Sequence, residues 1–454
     1  MKMSNGKKLA MGSAAAVILT VAGICPASAA NWFELQNNEA PDAKALRVWG
    51  FLQPTYEANF ADRVSGAANP AFNGQRPVFD LVAPDQESSS SFELKRARIG
   101  VRGLMPKTDG KINYFVLAEF AHNGITKHAS AVELSDASAT LNYIPGARIR
   151  FGQFKYPGPE EGFQAFPLVD PFIEFTTVTN QLIMGRSFNL PPGGTATAAG
   201  ATKVQANGGV DAFRDVGVEV YDWRDWGPWE AAYGVMLGNG HTINQQDDNS
   251  NKQWSARLQG SYVFGGKGAY RQDVTTWIWY QTGKQTFGSV DYTRRREGIG
   301  ATLNYQPFRI SMAYLRGTGV IFNGVNPPFN IDTIVSSSTV ALGSENKARG
   351  WYVAGEYMLP ELLDIPQFKQ VAIELRYDAY DRLPNDPAAE RRFHTWTVGA
   401  QYSFTPTVKL RVNYLVQSLK VGNADLLPAP QRQNAQAITD AIGNMLGVQV
   451  LVWF

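Results

Sequence analysis

The chain has 454 residues, of which 44% are hydrophobic and 12% aromatic, and its formal net charge is +2. A charge so close to neutral excludes the strong basic surplus that nucleic-acid binding requires, so we expect no nucleic-acid partner. The one cysteine, Cys25, lies in a predicted leader, which excludes disulfides and thiol chemistry from the mature chain.

Residues 1–29 have the pattern of a secretory signal peptide. Lys2, Lys7 and Lys8 precede an apolar run from Leu9 to Ile24, and small residues follow up to Ala29. This order predicts cleavage near residues 29 and 30. A single membrane anchor is the alternative, but the apolar run is short. Cleavage removes three lysines and no acid, so the formal charge falls from +2 to −1. Residues 30–454 then form one domain.

Past the leader, apolar residues occur in short alternating runs. No later segment approaches the roughly eighteen consecutive apolar residues that a membrane helix needs. An exported chain of this kind is either a large secreted β-protein or an outer-membrane barrel.

Runs with period two and a length of about 9–11 residues predict sixteen strands. In chain order they are Leu46–Ala58, Phe92–Leu104, Lys111–Ala121, Ala131–Tyr143, Ala147–Lys155, Ala212–Trp223, Trp229–Gly238, Gln253–Phe264, Asp273–Lys284, Arg294–Tyr305, Phe308–Arg316, Arg349–Leu359, Lys369–Asp381, Arg392–Phe404, Thr407–Gln417 and Leu446–Phe454.

The joints between these strands alternate in length. Short joints with Gly or Pro, such as Gln306-Pro307, alternate with mostly longer ones, such as Asn59–Ser91 and Gln285–Thr293. Outer-membrane barrels have short periplasmic turns and long outer loops, whereas a soluble sandwich has no reason for this alternation. The sequence therefore predicts an all-β, transmembrane antiparallel barrel in the outer membrane of a Gram-negative cell, in contact with its lipid and lipopolysaccharide.

The last predicted strand ends in an aromatic residue. Val448, Val450, Val452 and Phe454 alternate with more varied neighbours. A terminal aromatic on an alternating strand resembles the signal that outer-membrane barrels present to their assembly machinery.

The stretch from Phe92 to Gly103 indicates what such a barrel transports. Its arginines fall on one face and its apolar residues on the other. An ordinary half-exposed strand is the alternative for this stretch alone, but in a closed barrel the arginines line the lumen. Guanidinium groups bind carboxylate and phosphate oxygens in a two-pronged geometry. The predicted anion pathway consists of Arg96, Arg98, Arg102, Arg148, Arg150, Arg257, Arg376, Arg411 and Lys409.

The longest joint, Tyr156–Asp211, begins with an unusually apolar run. An outward loop of this composition is unfavourable in water, so we expect the joint to fold into the barrel and narrow the pore. Contact with a neighbouring subunit or a disordered lid are the alternatives. Its predicted constriction residues are Phe172, Glu174, Phe175 and Arg186.

Five stretches together resemble the phosphate-selective porin family of the O and P types. They are RARIGVRG at 96–103, RFGQFKYPG at 150–158, FIEF at 172–175, RDVGVEV at 214–220 and YGVMLGNG at 233–240. The resemblance implies trimers of sixteen-stranded barrels, an infolded third loop and an arginine ladder that leads anions to a constriction.

These observations, taken with the resemblance, predict a passive, anion-selective porin for phosphate, polyphosphate and other small anions, and the resemblance implies a homotrimer. The alternatives are a general non-selective porin, a sheath that holds a partner protein or, from another class, a barrel or secreted enzyme. No convergent catalytic set is present, no motif predicts a cofactor, and the four histidines are too dispersed to predict a metal site.

Overall fold

The computed structural model describes residues 31–40, 42–77, 79, 90–121, 132–164, 167, 169–206, 210–245, 247, 249–266, 271–324, 338–359 and 370–454. The predicted leader lies outside the described residues. Across the ranges given, no helix combines the length and the apolar character needed to cross a bilayer.

Twenty strands make up most of the described chain. In chain order they are β1 Arg47–Asn59, β2 Ser90–Leu104, β3 Ile112–Glu119, β4 Glu133–Ile144, β5 Ala147–Lys155, β6 Phe188–Asn189, β7 Ala201–Ala206, β8 Arg214–Trp226, β9 Trp229–Gly238, β10 Gln253–Gly265, β11 Gln272–Phe287, β12 Val290–Tyr305, β13 Phe308–Gly319, β14 Ile321–Gly324, β15 Ser338–Ala341, β16 Lys347–Met358, β17 Val371–Arg382, β18 Arg391–Thr405, β19 Val408–Val421 and β20 Met445–Trp453.

Sixteen of these strands form one closed antiparallel barrel. Each pairs with the next in chain order, skipping β6, β7, β14 and β15, and β20 pairs back with β1. The four short strands belong to two long loops and form a separate sheet in the order β14-β15-β7-β6. Closure leaves no free sheet edge, which is what a barrel requires in lipid.

Alternation along the strands gives the wall two different faces. On β10, Trp254 and Leu258 are exposed, whereas Ser255, Arg257 and Gln259 are buried. Because a closed barrel hides its inner face, the buried polar positions face the interior and the exposed apolar positions face outward. The same arrangement recurs around the barrel and explains why so many arginines are buried.

All sixteen predicted strands are present, so the predicted fold is confirmed. Ala147–Lys155 and Trp229–Gly238 have the predicted bounds. The long joint predicted at Gln285–Thr293 is wrong. Pairing continues from Lys284 opposite Thr293 to Phe287 opposite Val290, so the connection is the two-residue turn 288–289. The strands were predicted from alternating apolar residues, and the backbone pairing of β11 with β12 continues beyond the last of these residues.

A β-bulge in β2 changes which of its side chains face inward. The pairing with β1 shifts from Gln53 opposite Arg96 to Pro54 opposite Leu94, so Lys95 is the extra residue that the cross-strand register skips. An extra residue resets the period-two alternation. Lys95 and Arg96 therefore both reach the interior side, where period two alone places only Arg96.

Within the described ranges, three α-helices are not part of the barrel wall: α1 Trp32–Asn37, α2 Glu160–Phe163 and α3 Ala429–Asp440. Helix α3 belongs to the loop between β19 and β20, and its Ala435 and Ile438 form a small core with Val64 and Phe72 of the β1–β2 loop. The other two helices contact the inner wall and shape the candidate site.

Candidate channel and its lining

The segment 156–213, which joins β5 to β8, is hydrogen-bonded to inward-facing side chains around the barrel. Arg257 of β10 donates to the Gly158 carbonyl at 2.8 Å, and Arg411 of β19 donates to the Pro167 carbonyl at 2.7 Å. Asn413, also on β19, accepts from the Ile173 amide at 2.7 Å. Wall side chains thus satisfy backbone groups that a loop in water would leave to solvent.

Arg376 of β17 contacts the same segment at several points. Its guanidinium donates to the Glu174 carbonyl at 2.9 Å and to the Phe175 carbonyl at 3.4 Å, and lies 3.6 Å from the Glu161 carboxylate. It also stacks over Phe172, with its Cζ 4.4 Å from the ring centroid. Arg376 therefore acts on the backbone of the predicted constriction residues.

Glu174 is also bound from another part of the wall. Its carboxylate pairs with Lys95 of β2, which also pairs with Glu57 of β1 at 2.8 Å. Phe175 packs edge-on against Phe213, with ring centroids 5.3 Å apart. Arg186, the last predicted constriction residue, lies further along, with its Cζ 4.9 Å from the Phe322 ring and its carbonyl accepting from Gln285.

A second set of arginines, on β12, holds the same segment. Arg294 donates to the Ile183 carbonyl at 2.9 Å, and Arg296 donates to the Leu182 carbonyl at 3.0 Å. Both arginines are buried. Sequence reasoning missed them because RRR at 294–296 has no alternation, although a run of three arginines at the start of a predicted strand is itself an unusual signal.

The N-terminal segment 31–40 also lies against the inner wall. Arg102 of β2 pairs through Nε with the Glu39 carboxylate and donates to the carbonyls of Leu35 at 3.2 Å and Asn38 at 2.9 Å. Trp32 donates from Nε1 to Glu160 of α2 at 2.6 Å. Arg102, predicted to line the anion pathway, thus has its donors directed at this segment.

Three other predicted cations are Arg148, Arg150 and Lys409. Arg148 lies 3.3 Å from Asp222 and 4.1 Å from the Trp223 ring centroid, and Arg150 donates to Ser138 at 3.2 Å. Lys409 is half-buried two residues before Arg411. These side chains share the polar face of the wall.

Five cations meet at a cavity of about 80 Å³ between β2 and the segment 156–213. They are Arg96, Arg98, Lys155, Arg214 and Arg411, and three acids, Glu161, Asp170 and Glu174, also line the cavity. Arg96 and Arg98 were predicted by strand parity. Arg214 was not, because Ala212 and Phe213 have positive φ angles of 48° and 64° that break the alternation at the start of β8.

Glu161, one of the three acids at this cavity, is buried. Burial raises its pKa to about 7, and this effect outweighs the opposing influence of Arg376. Its carboxylate accepts hydrogen bonds from the Thr176 amide at 2.7 Å and the Thr176 hydroxyl at 2.6 Å. The local charge beside the cavity therefore changes near neutral pH.

No family profile matches the chain, and no curated protein matches it. Solved structures do resemble it. OmpF of Salmonella typhi, solved in complex with daunomycin, has a TM-score of 0.51 at 12% identity over 92% of this chain and 100% of its own. The outer-membrane channel DcaP of Acinetobacter baumannii has a TM-score of 0.48 at 14% identity, over 92% of this chain and 99% of its own. At such identities the likeness to OmpF shows the fold alone, a porin-type barrel.

Proposed function

We propose that this chain is a passive outer-membrane porin whose channel favours small anions, with phosphate and polyphosphate as leading solutes. The observation that carries the proposal is the cavity at which Arg96, Arg98, Lys155, Arg214 and Arg411 meet three acids. Positive charge in a narrow space with low-dielectric walls concentrates anions and rejects cations. Because the chain is nearly neutral, selectivity has to come from the position of charge.

The proposal includes a constriction formed by the segment 156–213. Hydrogen bonds from Arg257, Arg376 and Arg411, on three separate strands, support an infolded path for its first half. Shortening the segment between Phe172 and Arg186 should then raise single-channel conductance. Unchanged conductance would place the segment outside the ion path.

We also propose outer-membrane insertion as a homotrimer after cleavage of the leader. The apolar outer face supports insertion, since Leu258, Ile278 and Ile299 are each more than half exposed. The trimer rests on the resemblance to the phosphate-selective porins. Cross-linking of the protein in outer membranes tests it, and a monomer as the only folded species would count against it.

The reversal potential of the reconstituted channel in a KCl gradient tests the anion preference directly. Wild-type protein should give the sign expected for chloride permeation. The double variant Arg96→Gln with Arg98→Gln removes two charges from the cavity, so its reversal potential should move toward zero. The difference should shrink at high salt, because the Debye length is about 3 Å at 1 M.

The matched control removes two arginines from the outer face. Arg316 and Arg349 are 60% and 55% exposed and pair with Glu297 and Asp381. Replacing both with glutamine should leave the reversal potential as in the wild type. An equal shift in the two double variants would contradict a selectivity located at the cavity.

One observation favours a general, non-selective porin as the second candidate. Arg98, Arg214 and Arg257 are each paired with a carboxylate, at 2.7, 2.9 and 2.7 Å. Such pairing lowers the net positive field along the wall. A wild-type reversal potential near zero would favour this candidate.

A further inference from the structure

Phenylalanine rings line the same cavity as the arginines. One ring, Phe51, belongs to β1. The segment 156–213 contributes three more, Phe172, Phe175 and its last residue, Phe213. The Arg98 Cζ lies 5.8 Å from the Phe51 centroid, and the Arg96 Cζ lies 5.7 Å from the Phe175 centroid. Each guanidinium thus lies beside a ring, so charge and apolar surface are offered together.

Arg96 and Arg98 keep donors that the described part of the chain does not use. Arg98 donates from Nε to Glu119 at 2.7 Å, and Arg96 donates from one terminal nitrogen to Gln53 at 3.0 Å. Their other N–H groups have no partner among the described residues. This distinguishes them from Arg376 and Arg102, whose terminal nitrogens donate to backbone carbonyls.

A smaller cavity of about 30 Å³ extends the site toward the N-terminal segment. It shares Phe51 and Arg98 with the first cavity and adds Trp49 and Phe115. We call Trp49, Phe51, Phe115 and Trp453 the aromatic strip. The Trp453 ring stacks on two of the others: its centroid lies 5.1 Å from that of Trp49 and 5.8 Å from that of Phe51.

The inner wall makes room for this strip. A Cβ at Gly100 would lie 2.7 to 2.9 Å from atoms of the Trp49 indole, so only glycine lets the ring lie flat there. The Trp49 Nε1 donor is buried and has no hydrogen-bond partner among the described residues. A buried donor without a partner costs free energy, which an incoming acceptor would recover.

Inorganic anions gain little binding free energy from a cavity lined by aromatic rings. Phosphate presents only strongly hydrated oxygens. Contact with phenyl rings removes water from these oxygens without providing a hydrogen bond in its place. An anion with an apolar ring gains from burying that ring and also from stacking on aromatic neighbours. The combination of spare guanidinium donors and rings therefore selects for anions with both features.

We propose that the channel binds aromatic carboxylates in preference to inorganic anions. The carboxylate is held by the spare donors of Arg96 and Arg98, and the ring lies against Phe51 and Phe175. Phe51, Arg98, Lys155 and Arg214 line both cavities, which places this binding site where the two cavities adjoin. This inference rests on the proposed anion selectivity of the channel, and it replaces phosphate with aromatic carboxylates as the solutes that bind most tightly.

Block of chloride current in planar bilayers tests the inference, with benzoate as the probe. Acetate has the charge without the ring, benzyl alcohol has the ring without the charge, and phosphate is the inorganic comparator. Benzoate should half-block the current at a concentration about tenfold or more below that of each comparator, because it alone makes both kinds of contact. Equal block by phosphate and benzoate would overturn the inference.

Variants separate the two contacts. Phe51→Leu keeps apolar volume but removes the ring, and should weaken benzoate block several-fold while acetate block stays as in the wild type. Arg98→Gln should weaken block by both carboxylates. Phe404→Leu, on the exposed outer face, is the matched control and should change neither. Benzoate block that survives both Phe51→Leu and Phe175→Leu would overturn the role of the rings.

Failure of this inference is distinguishable from failure of the proposed function. A channel that is anion-selective by reversal potential but blocked equally by benzoate and phosphate keeps the proposed function and loses the aromatic preference. A channel with no anion selectivity loses both. Block by benzyl alcohol at the same concentration as benzoate would overturn the pairing of the carboxylate with Arg96 and Arg98.

Discussion

Gly50 and Phe454 exchange both backbone hydrogen bonds across the seam where β1 meets β20, at 2.8 and 3.0 Å. The Phe454 ring covers Gly50 on the outer face, where an added Cβ would lie 2.6 Å from the ring. Gly50→Val should therefore displace the ring and destabilise the folded barrel by about 1–3 kcal/mol. The measurement is the fraction of folded, heat-modifiable protein on gels.

Gly260→Val is the control for the seam. Gly260 lies on the outer face of β10, and a Cβ there would meet nothing within 4 Å. It should fold like the wild type, whereas deletion of Phe454, which removes both seam bonds, should lower folded protein further than Gly50→Val does. If Gly50→Val and the Phe454 deletion both folded normally, the contact between Gly50 and Phe454 would not be needed for assembly of the barrel.

Arg98 and Arg102 share a face but should differ in what they control. Arg98 has spare donors at the cavity, whereas Arg102 is bound to Glu39 and to the carbonyls of Leu35 and Asn38. Arg98→Gln should shift the reversal potential. Arg102→Gln should instead loosen the segment 31–40, seen as faster hydrogen exchange of its amides. A larger shift in reversal potential for Arg102→Gln than for Arg98→Gln would reverse these assignments.

Arg376→Gln should release the constriction. The variant loses the bonds to the Glu174 and Phe175 carbonyls and leaves Glu161 without its nearby guanidinium. Losing one partner of a buried charged pair costs about 3–5 kcal/mol, so the local path of the segment should loosen. We expect higher and noisier single-channel conductance. Arg349→Gln, which removes an exposed arginine, should leave the current traces unchanged.

Anion preference should decrease as the pH rises through neutrality. Burial raises the pKa of Glu161 to about 7, so this carboxyl is mostly neutral at pH 6 and mostly charged at pH 8. The added negative charge lies beside Arg376 and on the cavity lining. Glu161→Gln should remove this part of the pH dependence of the reversal potential. The same pH profile in both proteins would exclude Glu161 as the titrating group.

The raised pKa of Glu161 also determines how this residue changes the free energy of unfolding with pH. The pKa of Glu161 in the folded protein lies above its usual 4.5, so the folded state holds the proton more tightly than the unfolded state. Its contribution to the free energy of unfolding should therefore fall as the pH rises from 4.5 to about 7 and stay constant above.

Period-two patterns predicted the barrel, because each strand must place apolar side chains outward and polar side chains inward. They failed where the backbone breaks the period, at the Lys95 bulge and before Arg214. They also could not separate arginines that hold backbone, such as Arg376, from arginines with spare donors, such as Arg98. That difference depends on the path of the segment 156–213, which carries no repeating pattern.

The position of the segment 31–40 limits how the protein can be labelled. Asn31 is almost fully buried, and its side-chain oxygen accepts from Gln259 on the inner wall at 3.3 Å. A fluorophore or affinity tag joined directly ahead of Asn31 would compete with permeating solute for space, and one joined after Phe454 would burden the seam. Residues 192–195 are exposed, and an added Cβ at Gly193 meets nothing within 4 Å, so this stretch offers more space for a label than either of those positions.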